Sequence, residues 1–181
     1  MPILPLVAGG VFVLVFIVLI VVYRVTSSAG GPGGQPVANI RCDNGEQLGV
    51  HYHAHVDIIN ESTGTPVVIP AQIGIPGQCF YWMHTHDTTG IVHIEAPRES
   101  SSRQFTLADF FQVWGQPLSP TRVATLPVGP GQQLKMWVNG QPYTGDPRKI
   151  VLRSHDQVVL EIGPPFTDPP PFTWDPNNYP Q

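Results

Sequence analysis

The chain is 181 residues long, with 13 acidic and 9 basic side chains and a formal net charge of −4. Mild acidity without a basic run gives nucleic-acid binding no electrostatic support. No GxSxG, glycine-rich phosphate loop or CxxC occurs, so nucleophilic hydrolysis, nucleotide binding and disulfide exchange lack a signature.

The first element is an uncharged apolar run from Ile3 to Tyr23. About 20 helical residues at 1.5 Å each match a hydrocarbon core of roughly 30 Å, so residues 1–25 are expected to form one transmembrane helix. The run is long for a signal-peptide core and has no Lys or Arg before it, which favours a retained signal-anchor. A cleaved signal ending near Ser28 and Ala29 is the alternative. Arg24 follows the run, and the positive-inside rule taken alone would put the rest of the chain in the cytoplasm. One arginine is a weak bias, and the two cysteines argue the other way. Cys42 lies in the polar stretch NIRCDNGEQ, where a lone thiol would be exposed. Paired with Cys79 it makes one disulfide, suited to an oxidising compartment. The expectation is a single-pass protein of the cell membrane with its domain on the extracytoplasmic side.

Residues 26–36, containing SSAGGPGGQP, are expected to be a flexible linker. Residues 37–163 are long enough for one domain with its own core, and their pattern is mainly β. From His51 to Ile59 the residues alternate, with Tyr52, Ala54, Val56 and Ile58 on one face and His51, His53, His55 and Asp57 on the other. After the turn NESTG, PVVIPAQIGI predicts an edge or irregular strand because of its prolines. Residues 80–86 and 91–96 flank DTTG as a hairpin. Thr106 and Asp109 predict a capping box for the short helix LADFFQVW, stopped at Gly115. Residues 134–138, the turn Asn139-Gly140, and the runs RKIVL and QVVLEIG add further strands. The predicted fold is antiparallel and sandwich-like with one short helix, or else a small α+β domain. Residues 164–181 are a proline-rich tail, either draped on the domain by Phe166, Phe172 and Trp174 or loose.

Six of the seven histidines fall between His51 and His93. If Asp87 and Gly90 close the hairpin turn, His84 faces His93 and His86 faces Ile91, so three imidazoles share one face, with Glu95 and Trp82 on that side. Met83, Thr85, Val92 and Ile94 form the other face. An approach by the strand HYHAHVD would add its own histidines. His53, His55, His84, His86 and His93 are therefore the candidate metal ligands. Neutral imidazole suits transition metals, whereas calcium and magnesium call for oxygen cages. Copper or zinc is the expected ion, copper gaining slight weight from Met83 and Met136. Asp57, Asp87 and Glu95 are cast as acceptors orienting the rings, with direct ligation by either Asp the alternative. His155, in RSHDQ, is placed in a loop outside the cluster.

The HxH pairs brush known ligand patterns without meeting them. The domain is too short for an amidohydrolase barrel, Glu95 lies too far along for a cupin, and the HCH element of multicopper oxidases is missing. The succession HYHAHVDI, IPAQIGI, WMHTHDTTGIVHIEAP and FTLADFFQVWG is similar to a group of uncharacterised single-anchor extracytoplasmic bacterial proteins with a His-rich core. The resemblance spans about residues 48 to 163 and is most specific in HTHDTTGIVHIE. It implies a small exported domain and carries no activity to transfer.

Three functions fit these features. The first is a membrane-anchored domain that binds copper or zinc for metal handling or delivery. The second is a metalloenzyme, with three histidines on the ion, a position open to water or O₂, and Glu95 or Asp57 as acid or base. The third is an adaptor whose tail docks an envelope protein and whose histidines sense pH. No small-molecule substrate is legible.

Overall fold

The computed structural model describes residues 37 and 39–179. The expected anchor and linker lie outside these residues, among which no helix is long and apolar enough to cross a membrane. Twelve strands appear in the described chain: β1 (Cys42–Asp43), β2 (Val50–Asn60), β3 (Thr65–Pro66), β4 (Phe80–Tyr81), β5 (Met83–His84), β6 (Ile91–Ala96), β7 (Leu118–Ser119), β8 (Arg122–Val123), β9 (Leu126–Pro127), β10 (Gln133–Val138), β11 (Gln141–Pro142) and β12 (Gln157–Gly163). One α-helix, α1 (Leu107–Trp114), lies between β6 and β7. The domain is thus mainly β with one short helix.

The main sheet runs β11-β10-β12-β2-β6-β5, with β3 added beside β2. All its pairings are antiparallel except that of β2 with β12, which is parallel and joins His55 to Gln157 in register. Two smaller sheets, β1-β4 and β7-β8-β9, stand beside it where a sandwich would have a second large sheet. The core has instead a mixed second layer. Ala54, Val56 and Ile58 of β2, Val92 and Ile94 of β6, and Val158, Leu160 and Ile162 of β12 pack with Phe105, Leu107, Phe110 and Phe111 around α1. Period-two alternation puts these apolar residues on one face of the sheet and the histidines of β2, β5 and β6 on the other.

The helix begins as its sequence dictates. The Thr106 hydroxyl accepts from the Asp109 N–H, the Asp109 carboxylate accepts from the Thr106 N–H, and Gly115 ends the helix at φ 71°. Two predicted strands are shorter in the structure. PVVIPAQIGI pairs with β2 only at its start, through Pro66 and a bond from the Val67 N–H to the Ile58 carbonyl, and then turns, because its prolines remove ladder donors. RKIVL begins in a 3₁₀ turn (Pro147–Lys149) capped by the Asp146 carboxylate and continues only to a single bridge from Val151 to Thr106.

In the hairpin, Met83 pairs with Ile94 and His84 with His93, the register that closure by Asp87 and Gly90 requires. Beyond His84 the ladder opens, because the backbone of Thr85 bonds to Gln72 and Ile73 and its hydroxyl donates to the Pro70 carbonyl. Asp87 then caps the turn through the Thr89 N–H and hydroxyl. Gly90 has φ 82°, and a Cβ there would meet the Val56 carbonyl at 2.4 Å, so the close approach of the turn to β2 depends on glycine.

Cys42 and Cys79 form a disulfide with a sequence separation of 37 residues. It pins the β1-β4 ribbon beside the hairpin. Replacing both cysteines by alanine should lower stability by about 3–4 kcal/mol by freeing the loop in the unfolded chain, read as a lower urea midpoint with a steeper slope, because the uncrosslinked unfolded chain exposes more surface.

Candidate metal centre

Three adjacent strands aim imidazoles from one sheet face. His53 of β2 lies opposite His93 of β6, and His93 lies opposite His84 of β5, so the three occupy one row across the sheet. One step along the same register sets His51 opposite Glu95. His86 comes from the widened turn and brings its Nε2 to 3.3 Å from Nε2 of His84. The ring centroids of His53 and His93 are 4.5 Å apart, and those of His86 and His93 4.4 Å.

The donor atoms converge in two overlapping sets: His51, His53, His93 and Glu95, and His84, His86, His93 and Glu95. Within each set all ligating atoms lie within 4.8 Å of one another. Ligand atoms bound tetrahedrally at 2.0–2.1 Å stand roughly 3.3–3.4 Å apart. The His51 Nε2 to Glu95 Oε1 distance is 3.3 Å. Glu46, from the loop after β1, adds a carboxylate oxygen 3.2 Å from His86 Nε2.

No family model, curated protein or solved structure matches this chain. The chemistry of the centre is carried by its own side chains.

Tautomers are constrained by the neighbours. His84 Nδ1 donates to the Tyr81 carbonyl at 2.9 Å, which leaves a lone pair on Nε2 facing the cluster. A backbone carbonyl fixing the far nitrogen is the usual way a metal-binding imidazole is oriented. His93 Nδ1 donates to Glu95 Oε1. The second oxygen of Glu95 is buried and lacks a hydrogen-bond partner, and it sits 3.9 Å from His84 Nε2. That distance is too long for a hydrogen bond and leaves an acceptor that must be compensated by another group.

Burial, helped by the neighbouring histidines, lowers His53 and His84 from 6.5 to about 4, against the opposing effect of Glu95 on both and of the Tyr81 carbonyl on His84. Burial would raise Glu95, but the His93 hydrogen bond and the charges of His84, His51 and His93 outweigh it and hold the carboxyl below its ordinary value. At neutral pH the centre therefore offers His53 and His84 as neutral imidazoles and Glu95 as a carboxylate, the forms that bind a metal.

The same shifts fix the acid behaviour of the metal-free protein. Between pH 6.5 and about 4 the unfolded chain binds protons that folded His53 and His84 refuse, so stability is complete above 6.5 and falls as pH drops through that window. The expected loss is on the order of 3 kcal/mol for each of these buried groups. Urea unfolding from pH 7.5 to 4 in the presence of a chelator checks it.

Of the five histidines expected as ligands, the structure brings His53, His84, His86 and His93 together and sets His55 apart. His55 Nε2 donates to the Thr89 carbonyl at 2.9 Å, its Nδ1 faces Asp57 at 3.4 Å, and its ring stacks on Phe172 at 3.6 Å. It belongs to neither set. The register explains this: with His53 opposite His93, His55 falls opposite Ile91, one step past the cluster. His51 takes the place expected of His55. Glu95 is a member of both sets rather than an outlying acceptor, while Asp57 accompanies His55 and Asp87 holds the turn. Trp82 does not share the histidine face but packs in the core, and Met83 and Met136 are core residues too, so neither sulfur supports copper. His155 lies outside both sets, with its Nε2 donating to the Tyr179 carbonyl.

The proline-rich tail is draped on this face. Gln157 donates to the Pro170 carbonyl and accepts from the Phe172 N–H, Phe172 covers His55, and Tyr179 sets its ring edge-on to His53 at 4.8 Å. The tail thus covers the β2 side of the centre, while His86 and Glu46 remain 41 % and 38 % exposed.

Proposed function

We propose that this chain is a membrane-anchored, extracytoplasmic domain that binds a divalent transition metal, copper or zinc, for metal handling or delivery. The single observation that carries the metal reading is the convergence of five histidines and Glu95 in two sets with all donor atoms of each within 4.8 Å. The disulfide supports an oxidising compartment, and the uncharged run from Ile3 to Tyr23 supports the anchor. The single-anchor His-rich group named above fits the same placement. Imidazole-rich ligation with few carboxylates favours copper or zinc over calcium or magnesium.

A second reading, a metalloenzyme, draws on the exposure of His86 and Glu46, which leaves solvent access to one side of the centre. Burial keeps His53 and His84 at about 4, so these two do not change charge near neutral pH.

The test is metal content of the full chain in mild detergent, loaded with Zn(II) or Cu(II), desalted and measured by mass spectrometry. The His84→Ala/His86→Ala double variant should retain less metal than the parent. Equal metal in both would remove these residues from the binding site.

A further inference from the structure

The two donor sets share His93 and Glu95, and each also has two histidines of its own. His51 and His53 come from β2, the strand on one side of β6, whereas His84 and His86 come from β5 and the turn on its other side. A single ion could use one set or the other. Glu95 indicates both, because its carboxylate is split between them: Oε1 is 3.3 Å from His51 Nε2 and Oε2 is 3.9 Å from His84 Nε2. The Glu95 side chain is only 3 % exposed, yet Oε2 has no hydrogen-bond partner. A buried carboxylate oxygen left without a donor, aimed at an imidazole lone pair, is the arrangement an ion between them would satisfy.

We propose that the centre holds two transition-metal ions at once, bridged by the carboxylate of Glu95. One ion takes Oε1 with His51 and His53, and the other takes Oε2 with His84 and His86. His93, between the two sets, completes the shell. Glu46 reaches the second position alone, at 3.2 Å from His86 Nε2 and 4.0 Å from His84 Nε2, so that ion has the more anionic surroundings. The two positions also differ in cover, since Tyr179 lies over His53 and His93 on the first side. Carboxylate-bridged pairs of this kind stand roughly 3.5–4 Å apart, a spacing at which two paramagnetic ions couple. This inference rests on the metal-binding reading and adds the number of ions and the bridging group.

The test uses the full chain in mild detergent, loaded with Cu(II) alone and desalted. Metal per chain is measured by mass spectrometry and the ions are observed by electron paramagnetic resonance. His51→Ala and His86→Ala each remove a partly exposed member of one set, and far-ultraviolet circular dichroism verifies that both variants are folded. The parent should hold two ions per chain with a spin-coupled spectrum, and each variant should hold one ion with the spectrum of isolated Cu(II). One isolated ion in the parent overturns the paired centre while leaving the metal-binding reading intact, and no retained metal overturns both. Two ions without coupling, or two ions still present in either variant, overturn the Glu95 bridge.

Discussion

Replacing His93 by alanine should abolish metal retention, whereas replacing His55 by alanine should leave metal content unchanged. His93 belongs to both donor sets, lies opposite His53 on one side and His84 on the other, and orients Glu95 through its Nδ1. Removal of a group that merely supports a ligand costs about 10–100-fold in affinity, so loss of a direct ligand that also positions Glu95 should exceed 100-fold. His55 is equally rich in contacts, but its Nε2 is committed to the Thr89 carbonyl and its ring to Phe172. Competition against a chromogenic chelator measures both affinities. Comparable weakening in the two variants would mean that the face binds metal diffusely rather than at this centre.

The opposite dissociation is expected from Phe110→Ala. Phe110 is completely buried in the core on the far side of the sheet, among the aromatic residues of the helix layer, and belongs to neither donor set. Truncating such a ring costs about 3–5 kcal/mol through lost transfer energy and the cavity left behind. Denaturant unfolding of the metal-free protein should show that loss in full, while the folded fraction at low temperature should still bind the parent's complement of metal. Added metal should then restore part of the stability, because an ion that binds only the folded chain shifts the equilibrium by mass action. The His93 variant should gain nothing from added metal.

Much of this arrangement is legible in the sequence wherever it depends on short-range geometry. The alternation from His51 to Ile58 assigns each side chain of β2 to its face, and turn closure by Asp87 and Gly90 sets His84 against His93. The capping residues Thr106 and Asp109 likewise mark the start of the helix. What alternation cannot supply is the offset between strands distant along the chain. Whether His51 or His55 joins the cluster depends on the pairing of β2 with β6, and a shift of two residues would exchange their roles. Glu46 is hidden for a similar reason: nothing local links it to His86, and the β1-β4 ribbon with its disulfide brings the two together. The parallel pairing of β2 with β12 is silent in the sequence because period two is common to both strand directions.

That parallel pair governs when the sheet can close. β2 carries His51 and His53 but gains its second neighbour only when residues 157–162 arrive, about a hundred positions later in synthesis. Closure over such a span is entropically slow and comes late. The hairpin that carries His84, His86 and His93 is complete by residue 96, so the sheet is built outward from it and is closed on the far side of β2 only by residues 157–162.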